Sequence, residues 1–188
     1  MIEAYTPWSE EILDSAGKLP VQDGGRVKPL STYAGFTMLQ LHGARSMKVE
    51  DENGEKYRLG PTAWLLDSLF RPALALDLPT FRVDNADALQ AIGVEPRGRR
   101  DRYSYNEIDE GRDKLTELAG DYEKIDSDDR NPVQSQIVDL EQNVRRFESL
   151  FVYFNFARNG ILMVGSGGEG GVDQRADISA FMAVAPRI

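Results

Sequence analysis

Few residue types in this chain could do chemistry. It has one histidine, His42, and no cysteine among 188 residues. Thiol nucleophiles, thiolate metal sites and disulfides are excluded, and any histidine-based triad or zinc site would depend on His42 alone. The place of His42 at an expected helix end points to a dipole contact, with a ligand or catalytic role as the alternative. Carboxylates are plentiful, 31 Asp and Glu, and a pair of them could serve as acid and base in hydrolysis. No pair is singled out, because the separation that matters is spatial. Gly165-Ser166-Gly167-Gly168-Glu169-Gly170 matches the G-x-G-x-x-G pattern of dinucleotide sites. That fold needs a good helix straight after the glycines and an acid about 20 residues on. Here more glycine follows and the chain ends first, so 165–171 reads as a flexible loop. Asp126–Asn131 resembles a calcium loop in acidity only: it lacks the turn glycine, and its twelfth position is Ile137.

Leu19–Tyr33 (LPVQDGGRVKPLSTY) is the densest run of turn-forming and charged residues. Two short extended arms flank Asp23-Gly24-Gly25, a hairpin-type turn signal. Two readings are open. In one, Asp23 and Arg26 brace a tight turn. In the other, a rigid turn presents Gln22, Asp23, Arg26 and Lys28 as a docking point for a partner or an anion.

The totals narrow the class. A hydrophobic fraction of 41% suffices for a core, and 188 residues fit a single domain, 1–188. The net charge of −9 argues against nucleic acid and anionic membrane surfaces as partners. The short basic run Arg97–Arg102 contains Asp101 and is the sole candidate exception. No apolar run approaches the ~18–20 residues that span a bilayer, and MIEAYTPWSEE lacks the basic and apolar regions of a signal peptide.

The elements expected to carry these residues are mostly helical. Thr6-Pro7 reads as a helix start ahead of Glu10 and Glu11, with a stop near Gly17. Leu30–Leu41 has helical apolar spacing and closes at His42-Gly43 with glycine as the left-handed cap. Met47–Leu59 is a β-hairpin about Asn53-Gly54, a pair that tolerates positive φ at both positions. Gly60-Pro61 opens a helix to Phe70 with Trp64, Leu65, Leu69 and Phe70 inward, and Arg71-Pro72 breaks it. Pro79–Val83 reads as a strand, and Asp84 caps a short helix over 85–92. Ser104-Tyr105-Asn106-Glu107 fits a capping box, and the helix behind it carries one amphipathic stripe interrupted by Arg112. Pro132 starts the longest helix, where Val133, Ile137, Leu140, Val144, Phe147, Phe151 and Phe154 follow a heptad seam. From Leu150 it is apolar nearly all round, which predicts burial on several sides, with an end at Asn159-Gly160. Ile161–Val164 is a strand candidate, and the apolar tail 178–184 is expected to return to the core. The fold class is α+β, mainly α: a long antiparallel helical hairpin over 104–158, with short helices and small β-hairpins alongside.

Leu19, Pro20, Val21, Gln22, Asp23, Gly25, Arg26, Lys28, Pro29, Leu30 and Thr32 fit a motif of bacterial cytochrome c biogenesis proteins of the system II type. The chain resembles the large fused haem-export and ligation proteins of that family, with Ser31 in place of the usual Asp. The motif covers about 15 residues, and a similar order of downstream elements extends the resemblance over roughly 150. Such synthases are polytopic, carry a tryptophan-rich haem-handling segment and use histidines near membrane helices. Here there are two separated tryptophans and one histidine. The resemblance therefore implies the water-soluble extracytoplasmic (periplasmic) domain alone, tethered to the inner membrane through a longer parent protein. It implies a non-catalytic role supporting or docking haem-ligation partners, with the membrane-embedded remainder of the synthase and apocytochrome c as the partners. No cofactor is then expected on this domain, haem being handled by the parent. The alternatives are a soluble carboxylate-dependent hydrolase and a generic protein-interaction module.

Overall fold

In a computed structural model, described over residues 2–97, 101–153, 161–163 and 174–176, the chain is mainly α-helical with small antiparallel sheets, the α+β class expected. Among the described residues there are eight α-helices, α1 (Glu10–Gly17), α2 (Leu30–His42), α3 (Pro61–Phe70), α4 (Pro72–Asp77), α5 (Ala86–Ile92), α6 (Tyr105–Asp109), α7 (Arg112–Tyr122) and α8 (Pro132–Tyr153). Four separate two-stranded sheets pair β1 (Pro20–Asp23) with β2 (Arg26–Pro29), β3 (Met47–Glu50) with β4 (Lys56–Leu59), β5 (Phe81–Val83) with β6 (Asp101–Tyr103), and β7 (Ile161–Met163) with β8 (Gln174–Ala176). Among the described residues no helix is long and apolar enough to cross a membrane.

The heptad seam does what its spacing requires. Ile137, Leu140, Val144 and Phe147 are all buried, with Val133 and Phe151 packed at the margin of the same core. Phe147 is the hub. It stacks on Trp64 at 6.5 Å and meets Phe81 and Phe151 edge-on at 5.4 and 4.9 Å, with Tyr105 tilted at 6.0 Å. Aromatic pairs in this range add to plain area burial. One contiguous apolar cluster runs from Ile2 to Leu150.

Several local expectations need correction. The first helix starts at Glu10, not at Pro7: Ser9 is the cap, its hydroxyl accepting from the Ile12 amide at 3.3 Å. In the β3–β4 turn only Gly54 has positive φ. The turn is closed instead by the Asp51 carboxylate, which accepts from the amides of Asn53 (3.0 Å) and Glu55 (2.9 Å). Phe70 faces outward, 43% exposed, with its ring 6.5 Å from Trp8. Arg71-Pro72 breaks α3 as expected, and α4 starts at once on Pro72. Asn85, not Asp84, caps α5, because the Asp84 carboxylate is taken by Arg82 at 2.8 and 2.6 Å. The capping box forms at Ser104 and Glu107, but the helix behind it is split at Glu110-Gly111 into α6 and α7. A Cβ at Gly111 would lie 2.5 Å from the Ile92 carbonyl oxygen, so the break lets the end of α5 approach the backbone. Val152 is 75% exposed, which limits the all-round burial expected past Leu150. Phe154, the helix end at Asn159-Gly160, the 165–171 loop and the 178–184 tail lie outside the described residues.

Candidate functional site

The Leu19–Tyr33 motif folds as its turn chemistry demands. β1 and β2 are joined by Gly24 (φ 59°) and Gly25 (φ 76°), a two-residue turn with both central residues left-handed. The Leu30 amide donates to the Leu19 carbonyl at 2.8 Å and closes the base of the ribbon onto α2.

Register then separates the four proposed docking residues. Pro20 lies opposite Pro29 and Gln22 opposite Val27, whereas Val21 lies opposite Lys28 and Asp23 opposite Arg26. Successive residues point to opposite faces, so one face carries Pro20, Gln22, Val27 and Pro29, all exposed and uncharged, with Val27 71% exposed. The other carries Val21, Asp23 and Lys28, half-buried, with Arg26 exposed beside the turn. Val21 packs against the core. The brace is Asp23 with Lys28, Nζ to Oδ2 at 2.6 Å, and not Asp23 with Arg26. Lys28 is the diagonal cross-strand neighbour, within reach of a long side chain. Arg26 makes no ion pair among the described residues.

His42 is buried at the end of α2, with Gly43 (φ 76°) as the left-handed cap. Its Nδ1 lies 2.9 Å from the Pro79 carbonyl oxygen. A carbonyl only accepts, so Nδ1 carries the proton and donates. Burial lowers the His42 pKa from its ordinary value; the Pro79 and Ser46 carbonyls pull it up, and the nearby Arg102 guanidinium adds to the lowering. The arrangement ties α2 to the approach of β5, and no cluster of three or more potential ligand residues is found among the described residues.

The titratable groups with the most built environments were not singled out by sequence. Asp67, fully buried on α3, accepts from Trp8 Nε1 at 2.8 Å, Tyr5 Oη at 3.0 Å and Arg71 at 3.3 Å. Burial raises its pKa, against the lowering by those three donors. Arg71 also donates to the Thr6 carbonyl at 2.6 Å and lies 4.0 Å over the Trp8 ring. Asp67 thus straps the N-terminal segment to α3, and the Asp51 carboxylate helps by accepting from the Tyr5 amide at 3.4 Å. On α8, Glu141 accepts from Arg112 and from Arg145 Nε at 2.6 Å, and Glu148 takes Arg112 at 3.1 Å and Tyr105 Oη at 2.9 Å. Burial, followed by the Glu148 hydrogen bond and charge, pushes the Tyr105 phenol up to about 12. For Arg112 burial opposes the charge, but Glu148 and Glu141 outweigh it and the pKa is raised. One signal for this network existed: Arg112 is the one charge interrupting an apolar stripe. Nothing local marks Asp67, whose partners Tyr5 and Trp8 lie about 60 residues away.

Among the described residues, three of the surface grooves bear on the site. One, of about 540 Å³, lies between α1 and the first turns of α2 and α3, around Leu13, Pro29, Ser31, Pro61 and Thr62. A second, about 580 Å³, runs past Lys48, Asp77, Arg97, Asn106 and Glu107. The basic run begins at its wall, and Arg97 is consumed there by Asp101 (3.2 Å), Glu107 (2.7 Å) and the Tyr103 ring. The third lies between α2 and α8. In the acidic loop, Asp126 accepts from the Asp128 amide at 3.2 Å within a single 3-10 turn. Arg130 folds back onto the Tyr122 and Ile125 carbonyls. No protein-family model matches the chain, and no curated protein matches it.

Proposed function

We propose that this chain is a non-catalytic, extracytoplasmic domain of a cytochrome c assembly protein, supporting or docking haem-ligation partners. The observation that supports the reading is the fate of the Leu19–Thr32 motif. Its glycines and prolines shape a short rigid ribbon whose outward face, Pro20, Gln22, Val27 and Pro29, is not used by the described domain. A rigid, uncharged, exposed face on a loop-like element is a contact surface in form. The partner at this face is the membrane-embedded remainder of the synthase or apocytochrome c, and haem handling belongs to the parent protein. The buried acids do not favour a hydrolase: Asp67 and Glu141 are each held by neighbouring donors.

The test uses the parent protein in cells that depend on it for c-type cytochromes. Val27→Glu is expected to leave the domain's melting temperature unchanged and to lower the yield of covalently haem-bearing cytochrome, whereas Arg26→Ala, on the opposite face, is expected to lower it less. Asp23→Ala is expected to cost no more than about 1 kcal/mol of stability, since its ion pair with Lys28 is partly exposed. Full cytochrome yield with Val27→Glu would sink the docking reading and leave the ribbon a structural turn.

A further inference from the structure

We propose that the corner where the α2–β3 turn (43–46) meets β4 and β6 binds an acidic stretch of polypeptide, its carboxylates set on Arg45, Arg58 and Arg102 and one apolar side chain against Phe36. Three elements bring these arginines to one end of α2. Arg102 Nε, on β6, donates to the His42 carbonyl at 3.3 Å. Arg58 Nη2, on β4, donates to Ser46 Oγ at 3.1 Å, and the Ser46 backbone itself meets the His42 ring. Arg45, in the turn, holds its guanidinium 5.5 Å from the centre of the Phe36 ring on the outer face of α2. None of the three makes an ion pair among the described residues.

That charge exceeds what the fold uses. The C-terminal end of a helix carries about half an elementary negative charge, and Arg102 on the His42 carbonyl already meets it. Arg45 and Arg58, both exposed, are surplus. On the hairpin Arg58 lies directly opposite Lys48, also exposed, and like charges so placed weaken a ladder. Acids on or next to the adjoining strands are taken: Glu50 by Lys56 at 3.5 Å, Asp84 by Arg82 at 2.6 Å and Asp101 by Arg97 at 3.2 Å. At the hairpin tip Glu52 accepts from the Ala4 amide and Glu55 from the Tyr57 hydroxyl. Exposed carboxylates without ion pairs mark the margins: Asp139 in the α2–α8 groove beyond Gly43, and Asp77 and Glu110 in the groove past Lys48. Lys48 therefore stands at the edge, and the three arginines are the centre.

This arrangement selects among anions. A guanidinium matches a carboxylate through two parallel hydrogen bonds. The arginines come from separate elements and line none of the three grooves, so they offer an open surface suited to an extended chain and not a cradle for one small ion. Phe36 is 58% exposed beside Arg45, an apolar contact that a side chain can fill. Nucleic acid or an anionic bilayer would bring an extended field of charge against a chain of net charge −9. A short acidic segment meets the corner within the roughly 8 Å over which charge acts at physiological salt. The corner shares no residue with the β1–β2 ribbon, so this inference and the docking role of the ribbon stand or fall separately.

The test titrates the ¹⁵N-labelled chain at low salt with the blocked peptide acetyl-Glu-Leu-Glu-Glu-Leu-Glu-amide. Saturable shifts of the Arg45, Arg58 and Arg102 Nε–H signals and of the Phe36 ring are expected, weakening as salt rises. Arg45→Gln/Arg58→Gln should keep the melting temperature and weaken binding about tenfold, for loss of two exposed ion pairs. If that double variant unfolds, Arg45→Gln alone should weaken binding about threefold. Arg146→Gln removes an exposed arginine on α8 and should leave binding unchanged. Absence of saturable shifts, equal affinity for the peptide with Gln in place of each Glu, or the same loss with Arg146→Gln would overturn the proposal. Equally tight binding of inorganic phosphate, or of vesicles of phosphatidylglycerol and phosphatidylcholine in equal parts, would also overturn it.

Discussion

Replacing Arg112 with methionine asks directly how the pairing of α7 with α8 is held. Glu141 is 1% exposed and is held by Arg112, by Arg145 Nε at 2.6 Å and by Thr116 Oγ1 at 3.5 Å. Removing one partner of a buried pair costs about 3–5 kcal/mol, because the other charge is left without compensation. Arg145 remains, but its side chain is more than half exposed and screened, so it recovers only part of that. Glu148, itself about one-third exposed, adds no more than about 1 kcal/mol. The expected loss is therefore about 3 kcal/mol, read as a lower urea midpoint with unchanged slope. Adding Glu141→Leu removes the stranded charge and fills the site with an apolar side chain, so the double variant should regain most of the loss. A single variant that loses less than about 1 kcal/mol, or a double variant less stable than Arg112→Met, would refute the account of a paired buried carboxylate.

Other expectations rest on different parts of the molecule. Phe147→Ala should cost roughly 3–5 kcal/mol, since four aromatic rings lose their common neighbour; chemical denaturation measures the loss, and a near-UV dichroism spectrum should flatten. Gly111→Ala should destabilise by roughly 1–3 kcal/mol through the clash with the Ile92 carbonyl, seen as a lower melting temperature. His42 is the sole histidine, so its imidazole signals can be followed without ambiguity. They should report an Nδ1–H tautomer and a pKa below 6.5. Because the folded value lies below the unfolded one, the stability contributed by neutral His42 is complete above pH 6.5 and is lost as pH falls toward the folded pKa. A His42→Gln variant should lack that part of the acid dependence.

What was legible in the sequence was what depends on neighbours along the chain. The seam of α8 from Val133 to Phe151, the Ser104–Glu107 box and the paired glycines after Asp23 each rest on residues within a few turns of one another, and each formed as read. The failures share a cause. Asp84 looks like a cap until Arg82, two residues before it, claims its carboxylate. Gly111 looks like an ordinary helix residue until the end of α5 arrives against it. Phe70 looks like core until Trp8, about 60 residues upstream, meets it on the outside. Competition for a side chain, or a contact made only on folding, is not written in local spacing.

The same limit explains why the charged residues of the Leu19–Tyr33 motif invited a docking reading on their own account. In the ribbon, Asp23 and Lys28 neutralise each other on the inner face, leaving Arg26 alone beside the turn and an uncharged outer face of Pro20, Gln22, Val27 and Pro29. Elsewhere the chain spends buried charge on its own architecture, Asp67 on the N-terminal strap and Glu141 on the helical pair. A surface of net charge −9 would ordinarily select partners through long-range fields. The outer face of the ribbon presents shape and apolar contact instead, which makes Val27, rather than Lys28, the residue on which ribbon docking turns.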